Sequence, residues 1–277
     1  MKKKYIIGII IALFILADLF VLLYPTVGAA INARRQLRVV AQYFDDVAAI
    51  DDGDAQRLLE EARAHNESLL RKTGRFRFTH EDTARYMELL NTGRGIMGVL
   101  AINKLDVKLP VYHGTDAGVL QVGLGHMQGT SLPVGGNGTH AFITGHRGVP
   151  SSMLLTDLDK MAEGDTFVLY VLGETLTYLV DNIQTVEPHV VEALDIDPDK
   201  DYCTLVTCTP YGINTHRLLV RGHRVENAAV AGWEAFRADA KRLDRPLVLL
   251  LFMPLTLPIF MLCAIHRYRK IRKGVNI

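Results

Sequence analysis

The sequence predicts a mainly β protein: a closed barrel of about eight strands behind a helical N-terminal region, flanked by two apolar stretches long enough to cross a bilayer. Three observations predict it. From Ile96 onward, short apolar and β-branched segments are punctuated by turn residues, the pattern of a barrel or sandwich. Before Ile96 the apolar side chains recur at helical spacing instead. The hydrophobic content of 49% over 277 residues is raised by two long, almost uncharged runs.

The first run, residues 5–24, follows a basic start, residues 1–4, and carries only Asp18 as a charge. It is too long for the core of a signal peptide and reads as a signal anchor. Residues 25–95 are expected to be an extracellular helical and lid-like region. Leu37, Val40, Phe44 and Val47 lie on one helical face, Asp51 to Asp54 interrupt the pattern, and Asp54 is placed to cap a second helix. A short helical patch then runs to Leu90.

The barrel is expected over residues 96–228, with strands at Gly98 to Ile102, Leu109 to His113, Gly118 to Gly123, His140 to Thr144, Thr166 to Leu172, Thr175 to Val186, Tyr202 to Cys208 and Arg217 to Val225. One helix among them, Ser151 to Met161, is expected. A helical linker, 229–245, leads to a second apolar run, 246–265, whose Pro254 and Pro258 a membrane helix can tolerate. A basic tail, 266–277, ends the chain. Basic residues at both ends place both termini in the cytoplasm and everything between the spans outside.

A net charge of +1 argues against a nucleic-acid partner, which would need a concentrated basic surface. Of the three cysteines, Cys263 lies in the second apolar run. Cys203 and Cys208 are an odd number of residues apart on one strand and so face opposite ways, which disfavours a disulfide between them. Cys203 reads as structural and Cys208, at a loop edge, as chemical. The loop from Thr209 to His216 contains Pro210, Gly212 and Asn214, all turn formers. It makes a hairpin that sets Cys208 beside Arg217, a thiol next to a fixed cation.

A thiol with an ordinary pKa of about 8.5 needs a partner at neutral pH. Ten histidines are available. His146, at the Gly-flanked end of a strand, is the best placed; His140 shares its strand face, and His216 and His223 lie near Arg217. A histidine can accept or donate the proton, whereas arginine stays charged and is suited to hold an oxyanion. The constellation points to acyl transfer through a thioester. Neither a metal nor an organic cofactor is implied.

The segments Thr204 to Gly212, Asn214 to Gly222, Thr144 to Gly148 and Leu155 to Lys160 resemble the sortases, and within them the class C, pilus-polymerising group of Gram-positive bacteria. The resemblance runs from about Gly98 to Val225. It implies a sortase-like barrel with Cys208 as nucleophile, His146 as general acid and Arg217 as the residue that positions the sorting signal and its oxyanion, which removes His140 from candidacy. Thr207, next to the nucleophile, is expected to contact substrate. The implied reaction is cleavage of an LPxTG-like signal between Thr and Gly. Transfer to a lysine amine of the next pilin follows or, as in other members of the family, transfer to a peptidoglycan stem peptide. The expected partners are therefore pilins or other surface proteins bearing such signals, together with the lipid bilayer.

A membrane-tethered binding module with a merely structural cysteine is the alternative from a different class. Class C enzymes also carry a lid with an Asp-Pro-aromatic motif. Residues 73–91 contain no proline, the only Asp-Pro pair is Asp197-Pro198, and Phe76 and Phe78 are the aromatics best placed to serve instead.

Overall fold

A computed structural model of the chain describes residues 2–148, 154–189 and 194–227. Its first helix, α1 (Lys2–Ala48), runs without a break through Pro25 and Gly28, where the sequence suggested a division. Residues up to Ile31 belong to one unit and Asn32–Arg242 form another. In the first, Phe14, Ile15, Leu16, Phe20, Val21 and Tyr24 are exposed. Among the described residues no helix is long and apolar enough to cross a membrane. The linker 229–245, the second expected span 246–265 and the tail 266–277 lie outside the described residues.

The second unit opens with the C-terminal part of α1, where Val40, Tyr43, Phe44 and Val47 are buried in the barrel's core cluster. The Tyr43 hydroxyl donates to the Met97 carbonyl at 3.1 Å and accepts from the Leu172 amide at 3.1 Å, so a buried polar atom is satisfied on both sides. Helix α2 (Asp52–Leu70) is capped by Asp51 and not by Asp54: the Asp51 side chain accepts from the Gly53 amide at 2.9 Å. Its buried Asn66 exchanges two hydrogen bonds with the Leu132 backbone. Helix α3 (His80–Glu88) starts with a capping box between Thr79 and Asp82.

The barrel strands are β1 (Ile96–Ile102), β2 (Val107–His113), β3 (Leu124–His126), β4 (Thr139–Thr144), β5 (Thr166–Val171), β6 (Glu174–Val186), β7 (Asp201–Thr209) and β8 (His216–Val225). They close in the order β1-β2-β3-β4-β7-β8-β6-β5. β7 runs parallel to β4 and antiparallel to β8. Alternation along β7 sends Cys203 and Leu205 into the main core, while Val206 joins Phe142 and Leu219 in a second cluster on the other face. The predicted barrel is therefore present.

Two expectations fail. The strand expected at Gly118 to Gly123 is a helix, α4 (Ala117–Val122), and the strand that follows it has only three residues. β2 and β3 pair in parallel, which a tight hairpin cannot join, so the intervening residues become a helical crossover. The helix expected at Ser151 to Met161 is, in its described part, a set of turns with one 3-10 turn at Leu158–Lys160.

Candidate active site

β7 and β8 are joined by a tight loop because its residues accept unusual backbone angles: Gly212 and Asn214 have φ of 75° and 61°. The Pro210 carbonyl accepts the Ile213 and Asn214 amides at 3.1 and 3.0 Å. The hairpin register sets Cys208 directly opposite Arg217. Both side chains are half-buried. The Arg217 guanidinium folds onto its own loop. Nη1 donates to the carbonyls of Asn214 at 3.3 Å and His216 at 3.1 Å, and among the described residues Nε and Nη2 have no protein partner.

His146 arrives from the other side. β4 and β7 pair in parallel up to Thr144 opposite Val206, and the Gly145 amide extends the ladder by donating to the Val206 carbonyl at 3.0 Å. Carrying that register two residues further puts His146 opposite Cys208. Imidazole, thiol and guanidinium thus occupy one row across three neighbouring strands. In the antiparallel β7–β8 pair, Cβ atoms of directly opposed residues lie about 4.5–5.5 Å apart, which puts the Cys208 and Arg217 side chains within reach of each other. Among the described residues neither the His146 ring nor the Cys208 thiol has a hydrogen-bond partner, which leaves both available to a substrate.

The rival residues are accounted for by their partners. His140 is buried, its Nδ1 bound to the Asp195 carbonyl at 2.8 Å and its Nε2 to the Thr204 hydroxyl at 2.7 Å. Burial holds its pKa down at about 4, so the ring is neutral and structural. His216 pairs with Thr209 and therefore faces away from the Cys208 row. His223 lies at the far end of β8, beside Asp181 at 3.3 Å. Cys203 is fully buried, and burial pushes its thiol pKa well up. Thr207 is also buried, and its hydroxyl donates to the Gly145 carbonyl at 2.8 Å. That side chain ties β7 to the His146 turn and is not open to a substrate. Its inward position is legible in the strand alternation, since it shares the parity of Cys203 and Leu205.

Two features were not foreseen. On the face that carries Cys208, four residues back along β7, a cavity of about 600 Å3 is lined by His140, Tyr202, Thr204, Leu219, Arg221 and Asp195, among others. Part of the β6–β7 connection forms its wall. That connection is held by Arg75, whose guanidinium is largely buried, donates to the Leu194 carbonyl at 2.5 Å and lies 3.8 Å from Asp195. The neighbouring rings of Phe76 and Phe78 rest over Gly129, where an added Cβ would come within 2.8 and 3.0 Å of them. No sequence pattern marks a contact between residues so far apart in the chain.

A closed barrel that presents a thiol, an imidazole and a guanidinium at the ends of three adjacent strands is the framework of a cysteine-dependent acyl-transfer enzyme. The chain belongs to the sortase family: the Sortase domain matches residues 100–225, and solved sortases superpose on the barrel. Sortase C1 of Streptococcus agalactiae is 46% identical, with a TM-score of 0.66 over 69% of this chain and 100% of that one. Sortase C of Streptococcus pneumoniae is 41% identical, with a TM-score of 0.63 over 69% and 97%. These neighbours place the chain with the class C sortases. Sortase A of Streptococcus agalactiae is 32% identical over 117 residues, 41% of this chain and 47% of that protein. The chain thus spans about half the length of that curated relative.

Proposed function

We propose that this protein is a pilus-polymerising transpeptidase. What supports this reading is the pairing of Cys208 with Arg217 across β7 and β8, together with the β4–β7 ladder, whose last pair, Thr144 opposite Val206, stands two residues before His146 and Cys208. The Cys208 thiolate attacks the Thr carbonyl of an LPxTG-like signal. The guanidinium of Arg217, with Nε and Nη2 uncommitted, holds the oxyanion. His146 protonates the departing Gly amine, leaving a thioester on Cys208. A lysine amine of the next pilin then attacks the thioester, loses its proton to His146 and releases the Cys208 thiolate. The residues upstream of the scissile bond fit the face that runs from Cys208 past Val206 and Leu219 to the cavity beside His140. No metal or organic cofactor takes part.

Sortase C of Streptococcus pneumoniae, described for its pilin substrate specificity, supports a pilin substrate here. A wall-anchoring reaction with a peptidoglycan amine as acceptor is the second reading. Incubating the full-length protein with candidate pilins tests both: a covalent ladder supports polymerisation, a single adduct with stem peptide supports anchoring, and neither product refutes the reaction.

The site of action follows as a further part of the proposal. Residues 5–24 and 246–265 anchor the chain in the cell membrane, with the catalytic barrel outside and both basic ends inside. The exposed apolar side chains from Phe14 to Tyr24 support the first anchor. External protease on whole cells should cut between Gly28 and Arg245 and spare both termini; cleavage of the C-terminal tail would contradict two spans.

A further inference from the structure

Cys208 and His146 each sit in the middle of a triplet, and the two triplets are tied at both ends. Before the reactive pair, the Thr207 hydroxyl donates to the Gly145 carbonyl at 2.8 Å. After it, Arg147 Nη1 donates to the Thr209 hydroxyl at 3.3 Å. The residue on each side of the nucleophile is thus bonded to the residue on the same side of the histidine.

Arg147 is an unusual choice for this tie. Its side chain is only 8% exposed, while its ion-pair partner Asp159 is 47% exposed, so a buried guanidinium meets a carboxylate that remains in water. Its Nε is buried and has no hydrogen-bond partner among the described residues. An orphaned buried donor lowers stability, and buried ion pairs are often replaceable by apolar side chains at no loss. Stability alone gives this residue little reason to be charged.

Its connections give a different reason. Asp159 lies in the 3-10 turn at Leu158–Lys160, so the guanidinium links three things: the His146 turn, the end of β7 and the segment that follows the turn. The backbone supports the same arrangement, since the Leu155 amide donates to the His146 carbonyl at 3.3 Å and the Gly148 amide to the Thr156 hydroxyl at 3.4 Å. The His146 side chain itself has no anchor among the described residues. Its placement relative to the thiol is left to its two neighbours.

We propose that Arg147, through Thr209, is a positioning residue for the Cys208–His146 pair, closing a clamp whose other arm is Thr207 on Gly145. It touches neither substrate nor the reacting atoms. This inference rests on the assignment of Cys208 and His146 as the reacting pair. An error of about 1 Å in such a pair can cost a hundredfold in rate, which is the scale on which one lost arm should act.

The experiment compares Arg147→Met, Thr209→Val and Thr209→Ser in the full-length protein. Thr209→Val keeps the shape of the side chain and removes the acceptor; Thr209→Ser restores it. Two readouts are taken: the pH dependence of iodoacetamide alkylation at Cys208, followed by peptide mass mapping, and single-turnover thioester formation on a sorting-signal peptide. Arg147→Met and Thr209→Val should each slow thioester formation by about tenfold to a hundredfold with little change in KM. Each should also displace the alkylation profile along the pH axis while the thermal midpoint stays at or above that of the parent. Thr209→Ser should behave as the parent.

The clamp is overturned if both variants keep the parental profile and rate, if only KM rises, or if activity falls only in proportion to lost folded protein. Should the parent form no thioester with any peptide, the proposed reaction fails. The alkylation profiles still decide the clamp.

Discussion

The middle of the β4–β7 pair and its end carry the same chemical groups for opposite purposes. In the middle stand His140, Cys203 and Thr204; at the end stand His146, Cys208 and Thr209. The middle set is buried and bonded: His140 uses both ring nitrogens, and Cys203 is sealed in the core. At the end, the ring and the thiol are half-buried and without partners among the described residues. Reactivity in this barrel therefore follows from position along the strand. Interior rows satisfy their polar atoms because burial demands it, and the last row, next to turns, keeps them open.

The largest effect that could break this contrast comes from the two cysteines. Cys208→Ala should abolish thioester formation, seen by mass spectrometry, and leave the thermal midpoint near that of the parent. Cys203→Ala should keep most of the activity and cost about 1 kcal/mol in a urea titration, the scale of a small core truncation. A greater activity loss from Cys203→Ala would reverse the assignment.

Next is the cation. Arg217→Lys keeps the charge and loses the planar fork, and should slow thioester formation by about a hundredfold to a thousandfold, as for loss of one oxyanion donor. Near-parental single-turnover rates would reduce Arg217 to a tie for the hairpin loop.

The two buried histidines sharpen the comparison through pH. Burial is the main cause that holds both His140 and His126 down at about 4, against an ordinary 6.5. Their folded pKa values are depressed, so the unfolded chain takes up protons first as pH falls. Stability from this source is complete above 6.5, declines through the interval, and is lost by about pH 4. The loss should be on the order of 3 kcal/mol per histidine, read from urea midpoints. His140→Gln should be less stable at pH 7 but show a shallower slope between pH 6.5 and 4. An unchanged slope would mean that His140 is protonated within the fold.

The smallest effect concerns the segment before the barrel. Phe76 and Phe78 are 38% and 41% exposed, so replacing both with Ala should cost little stability. It should speed alkylation of Cys208 if the segment shields the thiol. A large fall in thermal midpoint with unchanged alkylation would make the rings part of the core.

Much of this protein is determined by local chemistry that the sequence carries openly. Alternation and turn residues gave the barrel strands, and the hairpin around Pro210, Gly212 and Asn214 set Cys208 beside Arg217 because a two-residue period and a tight loop leave one register. Opposite faces for Cys203 and Cys208 followed from the same parity. Tertiary structure decided what depends on contacts between distant segments. Residues 117–122 are apolar enough for a strand, yet the parallel pairing of β2 with β3 requires a crossover and made them helical. His140 and His146 share a strand face, and only the Asp195 carbonyl and the Thr204 hydroxyl, which meet His140 through folding, distinguish the bonded ring from the open one. Thr207, Arg147 and Arg75 likewise took their roles from partners far away in the chain. A hydrogen bond across many residues leaves no periodic trace, because its geometry exists only once the strands have closed.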